Sequence, residues 1–155
     1  MMVWDPNPAR DADGNVLPHD DPLTVPSEWT LLRHVHPLQW ARDERTGSYR
    51  PHPNAFAFSS EGSRSMSVDL EQPMVAEGIS LTHYALRAGK GVVRITAVKA
   101  RELQLRVGSE PIPDNRHHGG IWEPDPPITK NQLDKRIKAL SRSSELVALP
   151  PGGIE

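Results

Sequence analysis

The sequence predicts a single α+β domain, a twisted and mainly antiparallel sheet with two principal helices, preceded by an extended acidic arm. Apolar residues recur at period two in short runs, from Trp29 to Val35, Met66 to Leu70 and Leu103 to Val107. Two segments, Leu81 to Ala88 and Leu133 to Leu140, switch to helical spacing. Strands and helices are interspersed without a regular βαβ repeat, which argues against a doubly wound sheet.

The elements follow in order. Residues 1–27 carry Pro6, Pro8, Pro18, Pro22 and Pro26 with Asp5, Asp11, Asp13, Asp20 and Asp21 and no apolar period, so they read as an extended arm, separable from the domain. Asp11-Ala12-Asp13-Gly14-Asn15 superficially matches a calcium loop, but Val16 stands where that loop needs Gly and Pro22 where it needs Glu. A solvated turn is the better reading.

The domain proper runs over 28–150, and its first strand is Trp29 to His36. Alternation puts Trp29, Leu31, Arg33 and Val35 on one face and Leu32, His34 and His36 on the other. Pro37 stops ladder pairing, Asp43 to Ser48 is a polar turn, and Tyr49 to Asn54 runs extended because residues before proline avoid the helical region. Ala55 to Phe58 reads as a short strand with both rings on one face. In the next strand Met66, Val68 and Leu70 face the core, with Ser67 and Asp69 facing away.

Ser80 caps a helix carrying Leu81, Tyr84, Ala85 and Ala88 on one face, with Gly89 as its left-handed terminator. Gly91 to Thr96 is a central strand, Lys99 to Glu102 a helical turn, and Leu103 to Val107 a strand leading to the turn Pro111 to Asn115. Arg116 to Trp122 reads as an edge strand with a bulge, because two glycines weaken regular pairing. Thr129 and Gln132 have capping-box spacing, Ile128 and Leu133 staple spacing, and Leu133, Ile137 and Leu140 form the stripe of the second principal helix. Leu146 to Leu149 is a last strand, and 151–155 a tail.

Composition removes several function classes. The chain has 155 residues, no cysteine, 16 prolines and a formal charge of −2. Disulfides, thiolate metal sites and cysteine nucleophiles are thereby excluded. The slight negative charge gives no general attraction to nucleic acid or anionic lipid, although a local patch can still bind either. No apolar run is long enough to span a bilayer, and the opening residues lack a basic end and an apolar stretch, so a soluble, cytoplasmic protein is expected. Phosphate-loop, zinc-protease, nucleophile-elbow and dinucleotide motifs are missing.

Candidate ligand-binding residues are the histidines. His34 and His36 share one strand face, and His117 and His118 lie beside glycines that permit close approach. Were their strands neighbours, three imidazoles would converge on a divalent metal, with only one of His117 and His118 able to join. Solvated or hydrogen-bonded histidines are the plainer reading, and no metal site is assigned. A third cluster is the basic helix, where Lys135, Lys138 and Arg142 lie on one side. Such a face suits phosphates, but outer helix faces are normally charged and no aromatic row accompanies it, so nucleic acid is not the expected partner.

Arg33 in an early strand and Ser67 in a later Met-Ser-Val strand resemble the Arg and Ser positions of ADP-ribosyltransferase-like domains, especially the small RES toxins of toxin–antitoxin pairs. The resemblance implies that Arg33 pairs with the phosphate of a dinucleotide such as NAD and that Ser67 steadies a ribose. The family's acidic position has no match by spacing among Glu102, Glu110 and Glu123. The plainer reading of Arg33 is a partner for a carboxylate at the core edge. The order Phe56 to Phe58, Met66 to Val68, Gly91 to Val93, Pro111 to Pro113 and His117-His118 also resembles a group of small bacterial proteins, which brings no activity with it.

Two readings of function follow. The first is a noncatalytic binding or regulatory protein of bacterial type, such as an accessory subunit or a toxin, antitoxin or immunity component, using no cofactor and meeting a protein partner through the arm. The alternative is an enzyme or sensor of a nucleotide or phosphate ester, with Arg33 on phosphate, Ser67 beside it and His118 or another histidine as acid or base; NAD or a divalent metal enters only there. An unperturbed imidazole titrates at about 6.5, which suits that role. Geometry separates them: the alternative gains if Arg33, Ser67 and one ring of His117-His118 line one cleft.

Overall fold

The computed structural model describes residues 4–87 and 89–154, with backbone alone at 86 and 87; Ala88, expected on the first helix's apolar face, and the opening Met1 to Val3 fall outside the described residues. The elements are β1 (Thr30–Val35), β2 (Trp40–Arg42), β3 (Tyr49–Pro51), β4 (Met66–Leu70), α1 (Glu71–Ala76), α2 (Leu81–Arg87), β5 (Gly91–Thr96), α3 (Ala97–Glu102), β6 (Arg106–Ser109), β7 (His118–Trp122), α4 (Lys130–Ser143) and β8 (Glu145–Ala148). Six strands form one antiparallel sheet in the order β6-β7-β4-β1-β5-β8, and β2 with β3 makes a separate hairpin. The fold is therefore α+β in a single domain. Among the described residues no helix is long and apolar enough to cross a membrane.

The pleat of β1 feeds two cores. Leu31 and Val35 join Met66, Val68, Leu70, Val93, Ile95, Val107 and Ile121 on the larger one, with α3 and the Leu140 face of α4 packed over it. Leu32 turns the other way to Val92, and there Met74 of α1 with Tyr84 and Ala85 of α2 closes a smaller core. Both expected helices form as their caps dictate. Ser80 Oγ accepts from His83 N–H (3.1 Å), and Gly89 has φ +65°. Thr129 and Gln132 complete a reciprocal capping box that starts α4.

Several local expectations are corrected. Ala55 to Phe58 is not a strand, because Pro53 starts a 3-10 turn over Pro53–Ala55, His52 accepts from Asn54 N–H and Phe56 N–H closes on Pro53 O. β7 is not an edge strand: it pairs in unbroken register with β4 and β6. Its glycines serve close approach, since a Cβ on Gly119 would meet Leu70 Cδ2 at 2.8 Å and one on Gly120 the Trp122 ring at 2.7 Å. The register shift lies instead between β5 and β8, at Val92/Val93. Asp69 faces away from the larger core but not into solvent, because it turns into the smaller one, where Tyr84 and Asn115 donate to it.

The described part of the arm lies on the sheet's β6 edge. Asp20 Oδ1 accepts from Val107 N–H (3.0 Å) and pairs with Arg101 (2.9 Å), while Asp21 N–H donates to Val107 O (3.0 Å). Thus the outward N–H and C=O of Val107 on the edge strand are satisfied by the arm. Val16 and Val25 are buried, and Trp4 tilts against Trp29. Asp11 Oδ1 accepts from Asp13 and Asn15 N–H, an Asx turn that occupies the carboxylate locally.

Candidate functional site

The site arises where the sheet splits. β1 pairs with β5 along its full length, from Thr30 to Val35, but with β4 only at Leu31↔Leu70 and Leu32↔Asp69. Beyond Leu32 the two strands separate, and the carbonyl of Ser67 loses its ladder partner. Arg33 fills the gap, with Nη1 donating to Ser67 O (2.5 Å) and Nε to Ala55 O (2.7 Å). Those are two of the guanidinium's five N–H groups, and among the described residues no carboxylate pairs with it. The core-edge carboxylate partner expected for Arg33 is replaced by two backbone carbonyls. Burial pulls its pKa down to about 10, slightly offset by Tyr84, so the group stays charged at neutral pH.

A cleft of about 350 Å³ opens along this split. β1 contributes Arg33 and His34, with His36 and Gln39 just beyond; β4 contributes Ser67 and Asp69; Lys90, Asn115 and His118 close the other sides. The register explains the gathering, since Asp69 lies opposite Leu32 on one side and opposite His118 on the other. Arg33, Ser67 and His118, proposed from sequence as one site, therefore share one cleft, together with His34 and His36. His117 points elsewhere: its Nε2 meets Glu77 Oε2 at 2.7 Å, beside an Arg116–Glu77 pair. Burial pushes the Glu77 carboxyl up, but hydrogen bonds and charge from His117 and Arg116 outweigh it and hold it below the usual range.

Backbone partners set opposite tautomers in two of these histidines. His118 Nδ1 lies 2.7 Å from Glu110 O, a pure acceptor, so Nδ1 carries the hydrogen and Nε2 the lone pair. His36 Nδ1 accepts from Leu38 N–H (3.1 Å), so in the neutral ring Nε2 carries the hydrogen. One ring offers a lone pair at Nε2, as a base requires, and the other a hydrogen-bond donor at Nε2. Behind His118 lies the Glu110 carboxylate, 3.7 Å from Nδ1, held by the hydroxyls of Ser63 and Ser65. Of the three acids that spacing left undecided, Glu110 is the one beside the site, placed by the β6–β7 hairpin, where Glu110 N–H donates to His118 O (2.9 Å).

The remaining groups position or polarise. His34 stacks on Tyr84 with centroids 4.5 Å apart, and the Tyr84 hydroxyl donates to Asp69. Asn115 Nδ2 donates to the other Asp69 oxygen at 2.6 Å, so both carboxylate oxygens have a hydrogen-bond donor. Lys90 makes no protein hydrogen bond among the described residues and is exposed. Arg33 and Lys90 outnumber Asp69 among the residues that line the cleft, with Glu110 set behind His118. Sequence reasoning missed Lys90, Gln39 and Asn115, because each stands in a turn whose place in space no local pattern records.

Alternative centres are weaker. No group of three or more His, Asp or Glu among the described residues is placed to hold a metal. The strands of His34 and His118 are not neighbours, since β4 lies between them. A larger groove of about 580 Å³ lies between the arm and Pro111–Pro113, but its Arg10 is already spent on Gly14 O and Pro111 O. Lys135, Lys138 and Arg142 stand on α4, away from the cleft's lining. The chain matches no protein-family model, no curated protein and no solved structure.

Proposed function

We propose that this protein binds a nucleotide or related phosphate ester in the cleft between β1 and β4 and acts on it by proton transfer. The observation that carries the reading is the split itself. It holds a partly buried arginine, with no carboxylate counter-ion among the described residues, in the same cleft as Lys90 and two histidines of opposite tautomer. Arg33 and Lys90 attract phosphate oxygens, and the exposed Ser67 hydroxyl is available to a sugar. In hydrolysis, His118 Nε2 takes a proton from the attacking water as the new P–O bond forms. The leaving oxygen departs with its electron pair and takes a proton from solvent water, and the hydroxide so formed recovers the proton held by His118. Meanwhile Glu110 stabilises the His118 imidazolium, and neutral His36 offers its Nε2–H as a hydrogen-bond donor to a phosphate oxygen. The resemblance of Arg33 and Ser67 to the ADP-ribosyltransferase-like positions supports a nucleotide as the ligand class.

The test is a thermal-shift and turnover series with NAD, nucleoside monophosphates and diphosphates. A ligand that binds only the folded state raises its melting temperature. Lys90→Ala, a change that removes no packing, is expected to weaken binding roughly tenfold, equivalent to about 1.4 kcal/mol. His118→Gln should abolish turnover while retaining the thermal shift. No shift with any member of the series would sink the proposal.

The noncatalytic reading keeps one observation of its own, Leu23, which is 94% exposed on the arm. If a protein partner docks there, Leu23→Asp removes its capture and leaves nucleotide binding intact.

A further inference from the structure

A second concavity, about 260 Å³, lies between β3 and the C-terminal half of α4. Arg50, His52, Lys138 and Arg142 line it with Ser141, and no carboxylate is among its lining residues. Its cations are uncommitted. Elsewhere on the helix Lys130 pairs with Asp134, and Arg136 donates to Leu103 O and Gln104, but no ion pair among the described residues uses Arg50, Lys138 or Arg142. The wall is pinned, since Ser141 Oγ donates to Pro51 O at 3.3 Å. Tertiary structure thus adds Arg50 and His52 to a helix face that by itself is only an ordinary charged surface.

This groove adjoins the cleft. His52 N–H donates to Gln39 O (2.8 Å), Gln39 Nε2 donates to Asn54 O (3.4 Å), and Gln39 also lines the cleft. At the far end of the same short segment Ala55 O accepts from Arg33. Residues 52–55 therefore contact residues of both concavities, His52 and Pro53 lining the groove and Ala55 holding Arg33 of the cleft. A mononucleotide has no phosphate left for the second.

We propose that cleft and groove form one track for the sugar–phosphate backbone of a single-stranded nucleic acid, whose reacting nucleotide enters the cleft while neighbouring phosphates lie along Arg50, Lys138 and Arg142. This rests on the nucleotide reading of the cleft and names its substrate class as an oligonucleotide. Backbone contacts of this kind are sequence-tolerant and salt-dependent, and a cationic groove following one strand is how single strands are held. The overall charge of −2 does not oppose it, because the acidic residues do not line the groove.

The experiment is fluorescence anisotropy of the full chain with a labelled 12-nucleotide RNA, a DNA of the same sequence and inorganic polyphosphate, over a range of salt, beside thermal shifts with a mononucleotide. Lys138→Glu with Arg142→Glu is expected to weaken oligonucleotide binding by tenfold or more and leave the mononucleotide shift unchanged. Removing two phosphate contacts should also lower the slope of log affinity on log salt by about 1.4, at about 0.7 per single-strand phosphate. The milder pair Lys138→Gln and Arg142→Gln serves if charge reversal disturbs the helix end, with the same direction expected. Oligonucleotide binding indifferent to both pairs, or binding of polyphosphate but of neither oligonucleotide, overturns the track. Groove-dependent oligonucleotide binding with no mononucleotide shift and no effect of Lys90→Ala instead overturns the cleft reading and leaves the groove as a binding surface. RNA bound more tightly than DNA would assign a contact to the 2′-hydroxyl.

Discussion

Arg33 keeps its charge on an inner strand with no carboxylate paired to it among the described residues, and the carbonyls of Ala55 and Ser67 take two of its N–H groups. Alternation alone places it on the pleat with Leu31 and Val35, which made it conspicuous; its partners depend on where β1 leaves β4, which no local pattern encodes. Replacing it should therefore cost stability as well as ligand. Arg33→Met is expected to lose about 1–3 kcal/mol in urea denaturation, because two carbonyls lose their donors. An unchanged midpoint would mean that water satisfies both. Glu71 is the acid counterpart, bound by Arg94 through two hydrogen bonds of 2.8 and 2.9 Å and by the Thr30 hydroxyl. The Arg94 hydrogen bond holds the Glu71 carboxyl below its usual range, against the opposing effect of burial. The unfolded chain thus binds this proton more readily than the native one. The stabilisation is complete above the unfolded carboxylate value of about 4.3 and is lost as pH falls through and below it. Glu71→Gln should flatten that acid limb and cost about 1–2 kcal/mol at pH 7, read from urea midpoints between pH 3 and 7. A parallel pH profile for both proteins would remove Glu71 from the account.

At the scale of elements, what could be read from sequence was what neighbouring residues decide among themselves. The capping box of α4, the Ser80 cap and Gly89 terminator of α2, and the alternation of β1 and β4 all depend on contacts within a few positions. α1 leaves no signal in the sequence, because Glu71 to Ala76 contains Pro73 near its start and has too few apolar positions to show a period. Glycine weakens a strand in isolation, which makes β7 read as an edge in sequence, whereas in the folded sheet Gly119 and Gly120 are where Leu70 and the Trp122 ring come too close for a Cβ. Gly120→Ala is accordingly expected to destabilise by about 1–3 kcal/mol through overpacking against Trp122 and Ser65 Cβ. A melting temperature equal to that of the parent would show that the ring moves aside freely. The same register that makes β7 an inner strand sets His118 opposite Asp69, so the strand's position in the sheet and its place in the site have one cause.

On the scale of the whole molecule, the arm and the sheet edge are linked. Composition marks residues 1–27 as acidic and proline-rich, which describes a segment unable to form a core of its own, yet Val16 and Val25 are buried against the domain and Asp20 with Asp21 satisfies Val107 on the edge strand. Deleting residues 1–26 should then lower stability by several kcal/mol, since each buried valine contributes roughly 1.5–3 kcal/mol. It should also leave the β6 edge open to self-association, visible as a rise in apparent mass by light scattering. A truncated chain as stable and as monomeric as the parent would show the arm to be independent of the fold. The sequence by itself determined the class of the fold, the two capped helices, most of the strands and the residue types worth suspecting, because periodicity, capping and turn chemistry act over a few residues. Only the tertiary structure decided that β1 and β4 part after Leu32, that His118 rather than His117 faces the opening, that Glu110 stands behind it, and that Arg50 and His52 join the basic face of α4. Each of those depends on strand order and register, which arise from packing distant segments against one another, and distant packing leaves no mark in the spacing of neighbours.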